Sequence, residues 1–268
     1  MKLKQVFILS VISAITLLLL GCGAAQAPQG QNPANNEPLV VGLDDNFPPM
    51  GFRDENNEIV GFDVDLAKET AKRLGRPVEF KPIDWDKKEE ELKSGRIDVI
   101  WNGLEITEKR KEDMLFSDPY MNNRQILFIK AGTTPPQSEA DLAGKIVGTQ
   151  SGGGTAEDYL DGHENLRNSF KDYKKYADFV TAFQELEKGN LDVVVGDEIV
   201  GRYYMTQHPN TLEAVNFALG PVGTIGIGFG KNNTELRDKV QRVMNDMKVD
   251  GFMTQCAQKW FKINITDN

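Results

Sequence analysis

Two nine-residue stretches, 94 residues apart, are nearly the same sentence: Glu91-Leu92-Lys93-Ser94-Gly95-Arg96-Ile97-Asp98-Val99 and Glu185-Leu186-Glu187-Lys188-Gly189-Asn190-Leu191-Asp192-Val193. Each ends a helix-spaced run at a glycine and then opens an apolar run, which is the pattern of a helix stopped by a left-handed residue and followed by a buried strand. A second pair, Leu39-Val40-Val41-Gly42 and Lys145-Ile146-Val147-Gly148, supplies a first strand for each copy. Strands alternating with helices imply a parallel, helix-covered sheet. Two copies of that plan predict two α/β lobes of one design.

The remaining periodicities fill in the plan. In the first copy a helix is expected over Asp63–Leu74, with Asp63 as N-cap and Gly75 as stop, followed by a strand over Val78–Ile83, a helix over Asp86–Lys93 and a strand over Ile97–Trp101. In the second copy Ile146–Thr149 and Leu191–Val195 read as strands, with helices starting at Thr155 and spanning Ala177–Lys188. After Phe217 come one strand, Thr224–Phe229, and two helices, Glu235–Lys248 and Phe252–Phe261. This tail is too small for a third lobe and is expected to return to the first. Two strands then cross between lobes, near Tyr120–Gln125 and Phe217–Gly223, and the predicted units are 38–123 plus 220–268, and 124–219. Ligands of open α/β sheets sit beyond the strand C-terminal ends, which here means the cleft between lobes.

The residues at those ends have a definite chemistry. Thr107 is placed to cap a short helix that carries Arg110, an arginine positioned to meet a carboxylate with a two-pronged fork. Ser151-Gly152-Gly153-Gly154-Thr155 is a glycine turn entering a helix, an anion site through free N–H groups, and it lacks the lysine of a phosphate loop. Arg110 and the Thr155 turn would grip one carboxylate from both sides, while Asp197 and the Gly103 carbonyl take a neighbouring ammonium. That set describes an α-amino acid. Arg110 also lies in the charge run Glu108–Asp113, which by spacing alone reads as a solvated face.

The N-terminus has an address. Residues 1–21 have Lys2 and Lys4 ahead of the apolar run Val6–Leu20, which is too short to span a bilayer, and they end at Leu19-Leu20-Gly21-Cys22. This looks like a lipoprotein signal, cleaved before Cys22 with lipid on its thiol. Residues 22–37 are rich in Ala, Gln, Asn, Pro and Gly and read as a flexible tether with a reach on the order of 20 Å. Losing Lys2 and Lys4 with the leader takes the formal net charge from −9 to −11, which argues against nucleic acid as a partner. Cys256 is then the remaining cysteine, so no intrachain disulfide forms, and its helical neighbours suggest a packed thiol. No cofactor or metal is expected: His163 and His208 lie in polar stretches, and no His/Cys cluster has ligand spacing.

The motifs Phe47-Pro48-Pro49-Met50, Gly61-Phe62-Asp63-Val64-Asp65-Leu66, Ile106-Thr107-Glu108-Lys109-Arg110, Phe116-Ser117-Asp118-Pro119-Tyr120, Gly196-Asp197-Glu198 and Lys259-Trp260-Phe261, in this order along nearly all of Pro38–Phe261, resemble the bacterial polar-amino-acid binding proteins, solute receptors of ABC importers. The resemblance implies a type II periplasmic-binding-protein fold and a non-enzymatic, monomeric, extracytoplasmic receptor held to the membrane by its lipid and serving a cognate permease. It assigns the ligand α-carboxylate to Arg110, Gly154 and Thr155, and the α-ammonium to Asp197 and Gly103. It assigns the ligand side chain to Phe47 and Trp85 as flanking rings, with Asp44 and Asn102 reading the head group. Where the family usually carries serine or threonine touching the ammonium, this chain has Glu105. Trp101, bulkier than the family's usual residue, points away from the cleft by strand alternation. The acids at Asp44, Asp45 and Glu105 favour a basic or amide side chain. The same scaffold also resembles cyclohexadienyl (arogenate or prephenate) dehydratases and amino-acid sensor domains, which remain as alternatives.

Overall fold

The computed structural model describes residues 37–262; the leader, Cys22, nearly all of the tether and residues 263–268 lie outside the described residues. In chain order the elements are β1 (Leu39–Leu43), β2 (Asn46–Phe47), β3 (Gly51–Arg53), β4 (Ile59–Val60), α1 (Phe62–Arg73), β5 (Val78–Pro82), α2 (Lys88–Lys93), β6 (Val99–Ile100), α3 (Glu108–Asp113), β7 (Met114–Phe116) and β8 (Met121–Lys130). They continue as β9 (Ile146–Gln150), α4 (Thr155–Gly162), α5 (Glu164–Ser169), β10 (Asp172–Tyr176), α6 (Phe179–Lys188), β11 (Val193–Asp197), α7 (Glu198–Gln207), β12 (Leu212–Ile225), β13 (Gly228–Gly230), α8 (Thr234–Val249) and α9 (Phe252–Phe261).

Two five-stranded sheets organise the chain, ordered β5-β1-β6-β13-β7 and β10-β9-β11-β8-β12. In each, the repeated strands pair in parallel, β1 with β5 and β6, and β9 with β10 and β11. The repeat has a structural job. Gly95 and Gly189 end their helices with φ of 73° and 82°, a conformation glycine enters without penalty. Three residues later the aspartate of each copy clasps the first strand of its sheet. The Val40 N–H donates to Asp98 Oδ2 at 2.9 Å and the Ile146 N–H to Asp192 Oδ2 at 2.7 Å. In return the Asp98 and Asp192 N–H groups donate to the Val40 and Ile146 carbonyls at 2.8 and 2.9 Å.

β8 and β12 cross between the lobes. They run antiparallel from Leu212↔Lys130 to Ile225↔Met121, with register shifts between Val215 and Ala218 and between Leu219 and Gly223. The expected strand Thr224–Phe229 is two: β12 ends at Ile225, and β13 starts at Gly228 in the other sheet. At the change of sheet the chain passes close to Ile106, whose side chain would lie 2.8 Å from a Cβ at Gly226.

One local expectation fails instructively. Asp63 is not the cap of α1; Gly61 precedes the helix and no side chain caps it. A Cβ at Gly61 would sit 2.2 Å from the Met50 carbonyl oxygen. With that close approach the cap lies two residues earlier than expected, and Phe62, the first helical residue, is completely buried. Asp63 is thereby released from capping to accept from the Gly103 N–H at 2.7 Å and the Tyr120 hydroxyl at 2.8 Å. Trp101 is in the core at 1% exposure, and the Cys256 thiol is buried and free.

Candidate ligand site

Thr107 does cap α3, its Oγ1 accepting from the Arg110 N–H at 3.2 Å. Within the charge run Glu108–Asp113, Arg110 is the buried member, at 7% exposure. Its guanidinium reaches two places: Nη1 donates to the Glu105 carbonyl at 2.8 Å, and Nη2 crosses the cleft to the Gly153 carbonyl at 2.7 Å. Lys88, at 2% exposure, donates from Nζ to the adjacent Gly152 carbonyl at 2.6 Å. Burial pushes the Lys88 ammonium pKa down, with the Arg110 charge adding to it. Two cations of one lobe thus hold consecutive carbonyls of the glycine turn of the other. Gly154 precedes α4 and Thr155 opens it, so their N–H groups belong to the first turn, which has no partners within the helix.

At the far side of the cleft the ends of α3's loop and β11 meet. The Glu105 side chain is buried at 4% exposure, and its backbone bridges to Ile225. Asn123 and Gln125, on one face of β8, donate to Glu105 Oε1 at 2.7 and 2.9 Å. The same two amides donate to Asp197 Oδ1, from Gln125 at 3.0 Å. The charge run hides the burial of Arg110, and a charge-rich helix hides Lys88 entirely. The Asn123/Gln125 pair left a readable trace: two amides at i and i+2, on one strand face, directly ahead of the apolar run Ile126–Ile129.

The other expected residues are also placed. Asp44 accepts from Gln150 Nε2 across the lobes at 2.8 Å, and the Asp44 N–H donates to Asn102 Oδ1 at 3.2 Å. Asn102 is buried, and its Nδ2 has no partner. The Phe47 ring lies 6.1 Å from Phe179 of the other lobe and covers Gly103, where a Cβ would meet it at 2.8 Å. Gly103 has a φ of 62°. Trp85 begins a short 3₁₀ turn with the Lys88 ammonium 5.2 Å from its ring centre, and it borders Gly152. Gln150 and Phe179 are not marked in the sequence, and Asp63 is marked there only as a cap, because their roles depend on partners 27 to 132 positions away, as the Gln150–Asp44 pair 106 apart illustrates.

Burial pushes the Asp44 carboxyl up to about 6 and the Asp63 carboxyl up to about 7, against the donors each accepts from. Asp197 is pushed up by burial and by the Glu105 charge beside it. A carboxyl raised in the folded state keeps its proton while the unfolded chain has released it, so its stabilising share is complete at acid pH and is lost as pH rises through the folded value. The empty protein is therefore expected to melt several degrees lower at about pH 8 than at about pH 5. A melting temperature that is flat or rising across that window would contradict the burial of these three acids.

Residues 39–263 match the model of the bacterial extracellular solute-binding proteins, family 3. The chain belongs to this family. Relatives similar to it include the L-cystine-binding protein TcyJ of Escherichia coli (strain K12), 31% identical over 229 residues that cover 85% of this chain and 84% of TcyJ. Among solved structures, an ancestral arginine-binding protein bound to arginine is 41% identical, with a TM-score of 0.78 over 84% of this chain and 99% of that one. The ancestral amino acid-binding protein AncCDT-1, a precursor of cyclohexadienyl dehydratase, is 33% identical, with a TM-score of 0.75 over 83% and 95%. The fold is the two-lobed type II arrangement of these family 3 proteins. No helix among the described residues is long and apolar enough to cross a membrane.

Proposed function

We propose that the chain is the extracytoplasmic substrate-binding component of an ABC importer and captures a free amino acid with a basic or amide-type side chain by closing its lobes. One observation carries the reading. A buried arginine fork spans the cleft to a glycine turn at a helix start, and a buried pair of acids lies on the other side of the same segment. In this reading Arg110 with the Gly154 and Thr155 N–H groups takes the α-carboxylate; Asp197, Glu105 and the Gly103 carbonyl take the α-ammonium. Phe47 and Trp85 flank the side chain, and Asp44 with Asn102 meets its head group. The buried Asp44 carboxyl supports a cationic or donor group there, and the unpartnered Asn102 Nδ2, a donor, supports an acceptor such as an amide oxygen beside it.

Contacts from both lobes favour the closed form, since ligands shift an equilibrium only through differential contacts. The leader 1–21, followed directly by Cys22, supports lipid anchoring on the outer face of the membrane, where a monomeric receptor on a short tether would meet its permease. The test is a melting panel of the twenty amino acids on refolded, ligand-stripped protein. A binder at 100 times its dissociation constant adds about 2.7 kcal/mol, so arginine, lysine, histidine or glutamine is expected to raise the melt by several degrees. If none of the amino acids shifts it, the reading fails.

The similarity to AncCDT-1 favours one second reading, an arogenate or prephenate dehydratase with Glu105 or Asp197 as the acid. Incubation with prephenate separates the two: formation of an aromatic product supports the enzyme, and its absence with amino-acid binding supports the receptor.

A further inference from the structure

Glu105 sits in a place prepared for it. The Ile106 N–H donates to the Thr224 carbonyl at 2.7 Å and the Gly226 N–H to the Leu104 carbonyl at 3.0 Å, so the backbone around Glu105 is stitched to the crossing strand β12. Its carboxylate lies over Gly223, where a Cβ would come within 2.6 Å of Oε2. Opposite it stands Asp197, the last residue of β11, in register with Gln125 of β8. The two acids therefore come from different lobes and meet where the chain crosses.

What holds them together is neutral. Asn123 and Gln125 each divide one amide nitrogen between Glu105 Oε1 and Asp197 Oδ1. Both side chains are 3% exposed, and the oxygens of both amides have no partner. Acceptors thus outnumber donors: two carboxylates and two unpartnered amide oxygens share two amide NH₂ groups. Arg110 from α3 is the positive charge that acts on Asp197, and it favours the ionised form less strongly than Glu105 opposes it. Gly223 of β12 brings no side chain. Arg124, the next residue on β8, is engaged with Glu198 at 2.7 and 2.8 Å. Like charges that share buried donors need a positive partner, either a proton or a cation.

We propose that Glu105 and Asp197 form a two-carboxylate nitrogen pocket that holds one shared proton when empty and releases it to solvent when a ligand ammonium enters, so that Glu105 couples capture to proton release. The coupling rests on the amino-acid reading above. The balance is simple: one carboxyl O–H bond breaks, its proton goes to water, and the ammonium takes over its positive charge and bonds to both carboxylates. Because the proton belongs to the pair, a serine or threonine at position 105 would leave a single carboxylate with nothing to share. Selectivity follows: the pocket is built for a fully charged nitrogen, and an N-acylated amino acid, which cannot replace the proton, is rejected.

The decisive measurement is a carboxyl ¹³C NMR titration of the empty protein, with Glu105→Thr and the near-isosteric Glu105→Gln alongside. The wild type is expected to take up one proton at the pair near neutral pH and the second in the acid range. In both variants the neutral step of Asp197 moves towards the ordinary carboxylate range. Wild-type carboxyls that titrate together in the acid range, or a neutral step unchanged in both variants, would overturn the shared proton. Calorimetry then follows, using the amino acid with the largest melting shift, in buffers of different ionisation enthalpy. Up to one proton released per ligand by the wild type, and clearly less by either variant, in which burial alone still raises Asp197, supports the coupling. Tight binding with no buffer dependence overturns it, while a normal titration with no binding of any amino acid overturns the amino-acid reading instead.

Discussion

Arg110→Ala is expected to remove amino-acid binding while leaving the fold in place. The guanidinium is buried, and its two bonds go to backbone carbonyls at the cleft, Glu105 and Gly153, not to side chains of the core. Truncation therefore unpairs two carbonyls next to an opening where water can replace the donor. A ligand carboxylate has no such remedy. Removing one partner of a buried, hydrogen-bonded charge pair costs about 2–5 kcal/mol, which is roughly thirty-fold to several-thousand-fold in dissociation constant. Calorimetry with the best amino acid of the melting panel reads this directly, and the melt without ligand should stay within a few degrees of wild type. Arg110→Lys keeps the charge but not the fork, and should fall between the two. A variant that binds within threefold of wild type would remove Arg110 from the site.

The largest effect on stability is expected from a single methyl group. Gly201 lies in α7 where the helix rests on β8, and a Cβ there would be 2.0 Å from Cζ of Phe128. Phe128 has no exposure and meets the Phe183 ring edge-on at 5.1 Å, so it has little room to step aside. Gly201→Ala must lift α7 away from the strand. Overpacking of this kind costs about 1–3 kcal/mol, occasionally more, and the upper end is expected here because a whole helix has to move. Gly162→Ala is the control: it sits at the end of α4 with nothing near its missing Cβ. It should be neutral or slightly stabilising. Urea unfolding with an unchanged slope and a lowered midpoint for Gly201→Ala alone would bear this out; equal midpoints would show that α7 does not rest on Phe128. Since α7 begins directly after Asp197, ligand affinity should drop together with stability.

The two substitutions differ in how visible they were. Arg110 was legible: Thr107 three residues before it and Asp118-Pro119 after it mark a short helix at a strand end. Its burial was not, because Lys109 and Lys111 on either side give the same local signal as a solvated face. Gly201 carried no signal, since a glycine in a helix shows its reason only when the facing side chain is known. Asp63 was misread for a related cause. Local chemistry offered a good cap, but the close approach of Gly61 to Met50 moved the helix start and gave the carboxylate to Gly103 and Tyr120.

By itself the sequence determined the two-lobed α/β plan, because that plan is written in short-range terms: helical and strand periodicity, glycines at helix ends, and a repeat whose Asp98 and Asp192 each reach a strand in their own lobe. It also determined which residue types stand at the strand ends. Only the tertiary structure decided which of them meet. Lys88 with Gly152, Asp44 with Gln150, and Glu105 with Asp197 through Asn123 and Gln125 are contacts across the cleft, between groups tens of residues apart. A carboxylate on its own has no preference for another carboxylate. The two are brought together by the packing of lobes whose hydrophobic cores fix the strands, and the polar groups at the strand ends must accept the neighbours that packing gives them.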